Sequence, residues 1–167
     1  MCFVILNTVP VSLVLMVFNA MSLFDERHVE KLLTMSDFMD HTWAIERVII
    51  DQIQAVQFNF LGECEIVEGI YSESGNMALE EGSKLASSRR YIWQDSGETI
   101  DVSFEDKSFF HRIDLSKRST NAVHFCALDT YKVYYDFTLW PNWSVTWDVE
   151  GPRKLYKMFS SYRSHVV

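Results

Sequence analysis

Trp143-Ser144-Val145-Thr146-Trp147-Asp148-Val149 places a large apolar residue at every second position and a small or polar one between. Successive side chains of an extended strand point to opposite faces, so this stretch has one face for a core and one for water. The same period recurs upstream. Tyr131, Val133, Tyr135 and Phe137 alternate with Lys132 and Asp136, and Ile100, Val102 and Phe104 alternate with Thr99, Asp101 and Ser103. Further strands are expected over 42–50, 55–60, 63–71, 87–94, 108–115, 121–126 and 154–162. Hairpin turns are expected at Ser74-Gly75-Asn76, Asp95-Ser96-Gly97, Glu105-Asp106-Lys107 and from Ser116 to Asn121. No connector is long enough for a crossover helix, which points to an antiparallel meander. A meander of about eight to ten strands leaves two raw edges, and closing it into a barrel removes them.

The chain has 167 residues, 48% of them hydrophobic and 14% aromatic, which suits one globular domain with an ample core. Its formal charge is −8, so it lacks the basic surface that nucleic acid requires, and no nucleic-acid partner is expected. The charge is uneven: residues 25–106 carry 6 basic and 18 acidic side chains, and residues 107–167 carry 9 and 5. Cys2, Cys64 and Cys126 are too few and too far apart for a disulfide framework or a zinc ribbon, which favours a reducing, cytoplasmic setting.

Residues 1–24 form an apolar leader without a charge: a signal-like segment, an anchor for secretion or membrane attachment, or a stretch preceding a later start. From Ser22 to Met39 the apolar residues Leu23, Val29, Leu32, Leu33 and Phe38 recur at helical spacing, so one amphipathic helix is expected over 25–39. The barrel domain then occupies 40–163. A membrane partner is expected only if the leader is retained.

Arg89 and Arg90 are adjacent, so on a regular strand one of them faces inward whatever the register. A buried guanidinium needs an anion, either an internal carboxylate such as Asp101 or Asp114 or the head of a ligand. Fatty-acid-binding barrels meet that need with a ligand carboxylate. His111, His124, Cys126 and Asp129 raise a metal or Cys–His reading, because His124 and Cys126 are two apart and share a face. If apolar faces point inward, however, His111 lies inside with Phe109 and Ile113, while His124 and Cys126 lie outside, opposite Val123 and Phe125. Neither a metal centre, a cofactor nor a catalytic residue is therefore expected.

Trp43 at the start of the first strand, with Arg153 and Arg163 near the chain's end, resembles the base of a lipocalin barrel, where such a pair stacks for about 0.5–2 kcal/mol. His41 stands where that pattern has glycine. A fuller resemblance lies in Arg89-Arg90-Tyr91-Ile92-Trp93, Phe104-Glu105-Asp106, Phe110-His111-Arg112-Ile113-Asp114, His124-Phe125-Cys126, Asp129-Thr130-Tyr131 and Trp147-Asp148-Val149-Glu150-Gly151-Pro152-Arg153-Lys154. In this order they resemble the domain of unknown function 6314 family, from about Phe38 to Arg163, with Leu155 standing where the family has Asp. The resemblance implies a small barrel and brings no established activity.

The expectation is thus an all-β, antiparallel, up-and-down, lipocalin-like barrel of about 8–10 strands with one N-terminal helix, binding a small apolar or amphipathic, possibly anionic ligand. Its expected site residues are Arg90, Tyr91, Trp93, His111, Asp114, His124, Cys126, Tyr131, Trp147 and Arg153, with Arg90 preferred to Arg89. The competing readings are a structural or assembly subunit with a filled barrel and, behind it, a His/Cys metal enzyme.

Overall fold

The computed structural model describes residues 31–39, 41–79 and 82–165. Ten strands form one sheet: β1 (Thr42–Asp51), β2 (Val56–Val67), β3 (Ile70–Leu79), β4 (Lys84–Asp95), β5 (Thr99–Ser103), β6 (Phe109–Asp114), β7 (Ser119–Cys126), β8 (Asp129–Asp136), β9 (Trp143–Gly151) and β10 (Lys154–Ser164). Neighbours in sequence pair antiparallel except β6 and β7, and β1 also pairs with β10, from Trp43 opposite Ser164 to Asp51 opposite Tyr156. The ladder order is β6-β5-β4-β3-β2-β1-β10-β9-β8-β7, and its two ends, β6 and β7, pack beside each other. The result is a nearly closed up-and-down barrel whose core is the inward parity of every strand.

Two turns differ from the expected positions. The stretches 55–60 and 63–71 do not form separate strands: β2 runs through 56–67, and β3 begins at Ile70. The real hairpin is Glu68-Gly69, where both residues have positive φ, 51° and 78°, the backbone a two-residue turn needs to match strand twist. Ser74-Gly75-Asn76 lies inside β3. Gly75 sits opposite Gly62, with the Phe60 ring over the pair, and a Cβ on either would collide with Phe60 and backbone. Glycine here allows strand approach rather than a turn.

A β-bulge between β5 and β6 breaks the alternation: Val102 pairs with His111 and Ser103 with Phe109, leaving Phe110 as the extra residue. Phe110 and His111 are therefore both buried, whereas Phe109 is exposed.

The end where β1 begins is sealed. A 3-10 turn, Met35–Phe38, closes on Asp37 N–H donating to the Thr34 carbonyl at 3.0 Å, and the Thr34 N–H donates to Asp37 Oδ2 at 2.8 Å. It inserts Phe38 among Trp43, Trp93, Phe137, Trp140 and Trp143. Within the described residues this short turn takes the place of the expected helix over 25–39, and residues 1–30, the apolar leader included, lie outside them. Trp43 does cap the base, but through aromatic neighbours and its indole N–H donated to the Pro141 carbonyl at 3.0 Å. The expected arginine partners lie elsewhere. Arg163 pairs with Glu46 on the outer face, and Arg153 sits in the β9–β10 turn at the opposite end.

Candidate functional site

Inside the barrel, strand parity brings charges together that are far apart in sequence. Arg47 shares the inward face of β1 with Trp43 and Ile45, and Glu73 shares that of β3 with Tyr71; they are 4% exposed each. The guanidinium donates to both Glu73 oxygens, at 2.6 and 2.7 Å, and through Nε to Ser160 Oγ at 2.8 Å. Glu73 Oε2 also accepts from the Tyr71 hydroxyl at 2.6 Å, and the Tyr71 and Tyr162 hydroxyls are 3.2 Å apart. Burial by itself would raise the Glu73 carboxyl, but the hydrogen bonds from Arg47 and Tyr71 and the Arg47 and Arg89 charges outweigh it and hold Glu73 below its ordinary value. Burial likewise opposes the Arg47 charge, and the Glu73 hydrogen bond together with the electrostatic attraction of Tyr162, Glu73 and Tyr71 more than restores it. A pair this deep is costly to break from one side, about 3–5 kcal/mol, because the survivor stays charged and dry.

Arg89 enters the same space from β4. Its Nε lies 3.5 Å from Glu73 Oε1, its Nη1 points toward the Met158 thioether at 3.9 Å, and it hydrogen-bonds Tyr91. A thioether is a weak acceptor, and Glu73 already accepts three hydrogen bonds from Arg47 and Tyr71. The interior thus holds one more cation than anion among Arg47, Glu73 and Arg89. Arg89 is also the accessible member, with 34% of its side chain exposed.

Across the barrel His111 Nε2 stands 2.7 Å from the Tyr135 hydroxyl. Burial, and after it the charge of His124, pushes its pKa down to about 3, so the imidazole is neutral. Its Nδ1 and the Trp143 indole N–H are buried without a hydrogen-bond partner in the protein. Arg47, Glu73, Arg89, Tyr91, His111 and Trp147 all line one cavity of about 40 Å³, room for roughly three waters. Toward the end opposite the Phe38 seal, half-buried Trp147 and Tyr91 stack on the buried Phe110, at 7° and 20°.

Several expected site residues meet here and others do not. Tyr91, Trp93, His111 and Trp147 line the cavity. His124 faces inward beside Phe110 and Phe104, contrary to the parity expectation, because on β7 it is Val123 and Phe125 that lie outside. Closure of the sheet, rather than apolarity, set that face. Tyr131 lies next to His124 and accepts a hydrogen bond from Lys154 Nζ at 2.6 Å. Cys126 is exposed at the end of β7, away from the cavity lining. Asp114 stays at the end of β6, accepting from Ser116 and facing Lys117 at 3.4 Å, and Asp101 pairs outside with Arg112. Neither carboxylate serves an internal arginine.

Arg90 is the clearest correction: it points outward, 58% exposed, 3.6 Å from Glu105. It borders an outer depression shared with Glu63 and Glu65, surroundings that repel an anion. The inward arginine is Arg89. Arg47 and Glu73 were missed in the sequence, although each charge sits on the parity of its strand's apolar residues, and that is the signal that could have found them.

The quoted His124 to Tyr131 and Gly151 to Lys154 segments also converge, on neighbouring hairpins. Lys154 Nζ bridges Asp129 Oδ2 at 2.6 Å and Tyr131, and Gly151 is bare because a Cβ there would overlap the Asp129 carboxylate. Their joint role is to pin the β7–β8 and β9–β10 turns together. Among the described residues no three His, Cys, Asp or Glu side chains gather as a metal site.

Ten antiparallel strands around an ion-paired, aromatic-walled interior define a small up-and-down β-barrel protein. Over residues 39–164 the chain matches the family of unknown function DUF6314, and it belongs to that family. No curated protein matches it.

Proposed function

We propose that the barrel binds a small, mostly apolar anionic ligand whose charged group pairs with Arg89 at the unsealed end. The observation that supports this most is the Arg89 guanidinium, which lines the cavity with a third of its side chain exposed while Glu73 gives its short hydrogen bonds to Arg47. An anion there completes the charge balance, and a charge-assisted contact contributes about 1.5–3 kcal/mol, tenfold or more in affinity. With one third of its side chain in solvent, Arg89 is the part of the wall that swings to admit a ligand larger than the 40 Å³ cavity. Apolar contact then comes from Tyr91, Phe110 and Trp147.

The cavity's small size favours a second reading, a filled barrel acting as a structural subunit. Titration of benzoate, 2-naphthoate and palmitate, with native mass spectrometry of protein taken straight from cells, separates the two. Binding is expected for at least one carboxylate, weakened tenfold or more in Arg89→Met and unchanged in Arg90→Met. A wild-type protein that carries no small molecule from cells and binds none of the three is the filled barrel.

A further inference from the structure

The barrel wall is a hydrogen-bonded ladder everywhere except between β6 and β7, where among the described residues no backbone hydrogen bond crosses. Any other boundary between strands opens only by breaking its ladder. This one is closed by side chains. Phe110 of β6 meets His124 of β7 at 5.0 Å between ring centroids, and Phe104 meets His124 at 6.1 Å. His111 Nε2 reaches past β7 to the Tyr135 hydroxyl of β8, 2.7 Å away. The inward residues of β7 at this level, Thr120 and Ala122, are small enough to let it pass.

The two sides of this seam are unequally anchored. β7 and β8 share an unbroken ladder from Ser119 opposite Asp136 to Cys126 opposite Asp129, and the Lys154–Asp129 bridge ties their turn to the β9–β10 turn. The β5–β6 hairpin is held more loosely: β5 meets β4 only from Ile92 opposite Ser103 to Asp95 opposite Ile100, and the bulge at Phe110 interrupts its pairing with β6. Its lower end is firm, with Ile100, Ile113 and Leu115 buried at the sealed base and the Leu115 N–H donated to the Glu98 carbonyl at 2.8 Å. Its upper end is not, since Phe104 is half-buried and Phe109 exposed. This hairpin nevertheless supplies Val102, Phe110 and His111, one whole side of the cavity lining. A cavity of about 40 Å³ has no room for a ring while that side stays in place.

We propose that the β5–β6 hairpin is a flap over the cavity. It swings on its buried base, parts from β7 along the unladdered seam, and is latched shut by the His111–Tyr135 hydrogen bond and the Phe110–His124 contact. Elements that open locally in this way are those with the fewest buried contacts and ladder bonds. The Arg89 reading concerns what the cavity holds and the flap concerns how it is enlarged and reached, so the flap is tested without an anion.

The test uses thiol labelling of the whole chain. Val102→Cys places a side chain of similar size in the cavity lining, on the flap itself. Native Cys64 is the control within the same molecule: it is 2% exposed on the inner face of β2, across the barrel from the seam, and reports global unfolding. Methyl methanethiosulfonate is added and each site followed by peptide mass spectrometry. The introduced thiol is expected to react at least about tenfold faster than Cys64, at a rate that low denaturant barely changes. Tyr135→Phe, which removes the latch, should raise the ratio of the two rates about fivefold or more. Equal rates at the two sites overturn the flap, and this comparison stands even if Tyr135→Phe does not fold. A ratio that Tyr135→Phe leaves unchanged, or that Arg89→Met raises in its place, also overturns it by putting entry at the rim. None of these results alters the carboxylate titrations that decide the Arg89 reading.

Discussion

At the end of the barrel where β1 begins, Phe38, Trp43, Phe137 and Trp143 are buried edge against face under the Met35–Phe38 turn, with no ion pair among them. At the other end Tyr91, Phe104, His124, Tyr131 and Trp147 are only half-buried and stand over the Arg47–Glu73–Arg89 cluster. Around that end Ile53, Leu85, Phe109, Phe125 and Leu128 are exposed on or beside the hairpins. Both ends use aromatic residues. Where a covering segment exists, their area is removed from water on folding and becomes stability; where none does, it is left for a ligand to cover.

The largest difference should appear in stability. Phe38→Ala removes a ring with no exposed surface and is expected to cost about 3–5 kcal/mol in denaturant unfolding, whereas Trp147→Ala at the half-buried wall should cost less than about 2 kcal/mol. Equal losses would abolish the distinction between a sealed base and an open end.

The next effect is on pH. The folded His111 takes up its proton only near 3, against 6.5 for an ordinary imidazole, so between these values the unfolded chain binds more protons. The stability due to the neutral ring is whole above about 6.5 and is lost as pH falls toward 3, by an amount on the order of 5 kcal/mol. Unfolding curves across that window should flatten in His111→Phe. Glu73, also held below its ordinary value, loses its contribution in the same direction at the acid end and accounts for the slope that remains. A wild-type profile flat from 6.5 to 4 would place the imidazole in water.

The smallest effect should come from Lys154→Ala. The Lys154 side chain is 43% exposed, so its bridge to Asp129 is screened and its loss should cost at most about 1 kcal/mol. Hydrogen exchange should then rise in the β7–β8 and β9–β10 turns and not at the base; a change at the base would mean that the two ends are coupled.

Strand content was legible because period-two alternation is a local property. Trp143 to Val149 is a strand in any register, and Trp43, Trp93, Val102, Tyr135, Val145 and Tyr162 are buried as their spacing implies. The site was less legible. Arg89 and Arg90 were narrowed to one inward residue, but the choice between them depends on which face of β4 closes over Glu73, a residue sixteen positions earlier on β3. His111 was expected inside beside Phe109, yet the bulge turned Phe110 inward and Phe109 out.

By itself, then, the sequence determined an antiparallel meander of short strands with an aromatic core, since alternation and short polar connectors are written residue by residue. Tertiary structure alone decided that Arg47, Glu73 and Arg89 meet, that His124 turns in and Arg90 out, and that one end is sealed by Phe38. The physical reason is that alternation defines two faces without saying which is inside. Closure of the ladder through β1 and β10, and the extra residue Phe110, make that choice, and a slip of one residue would reverse it for a whole strand.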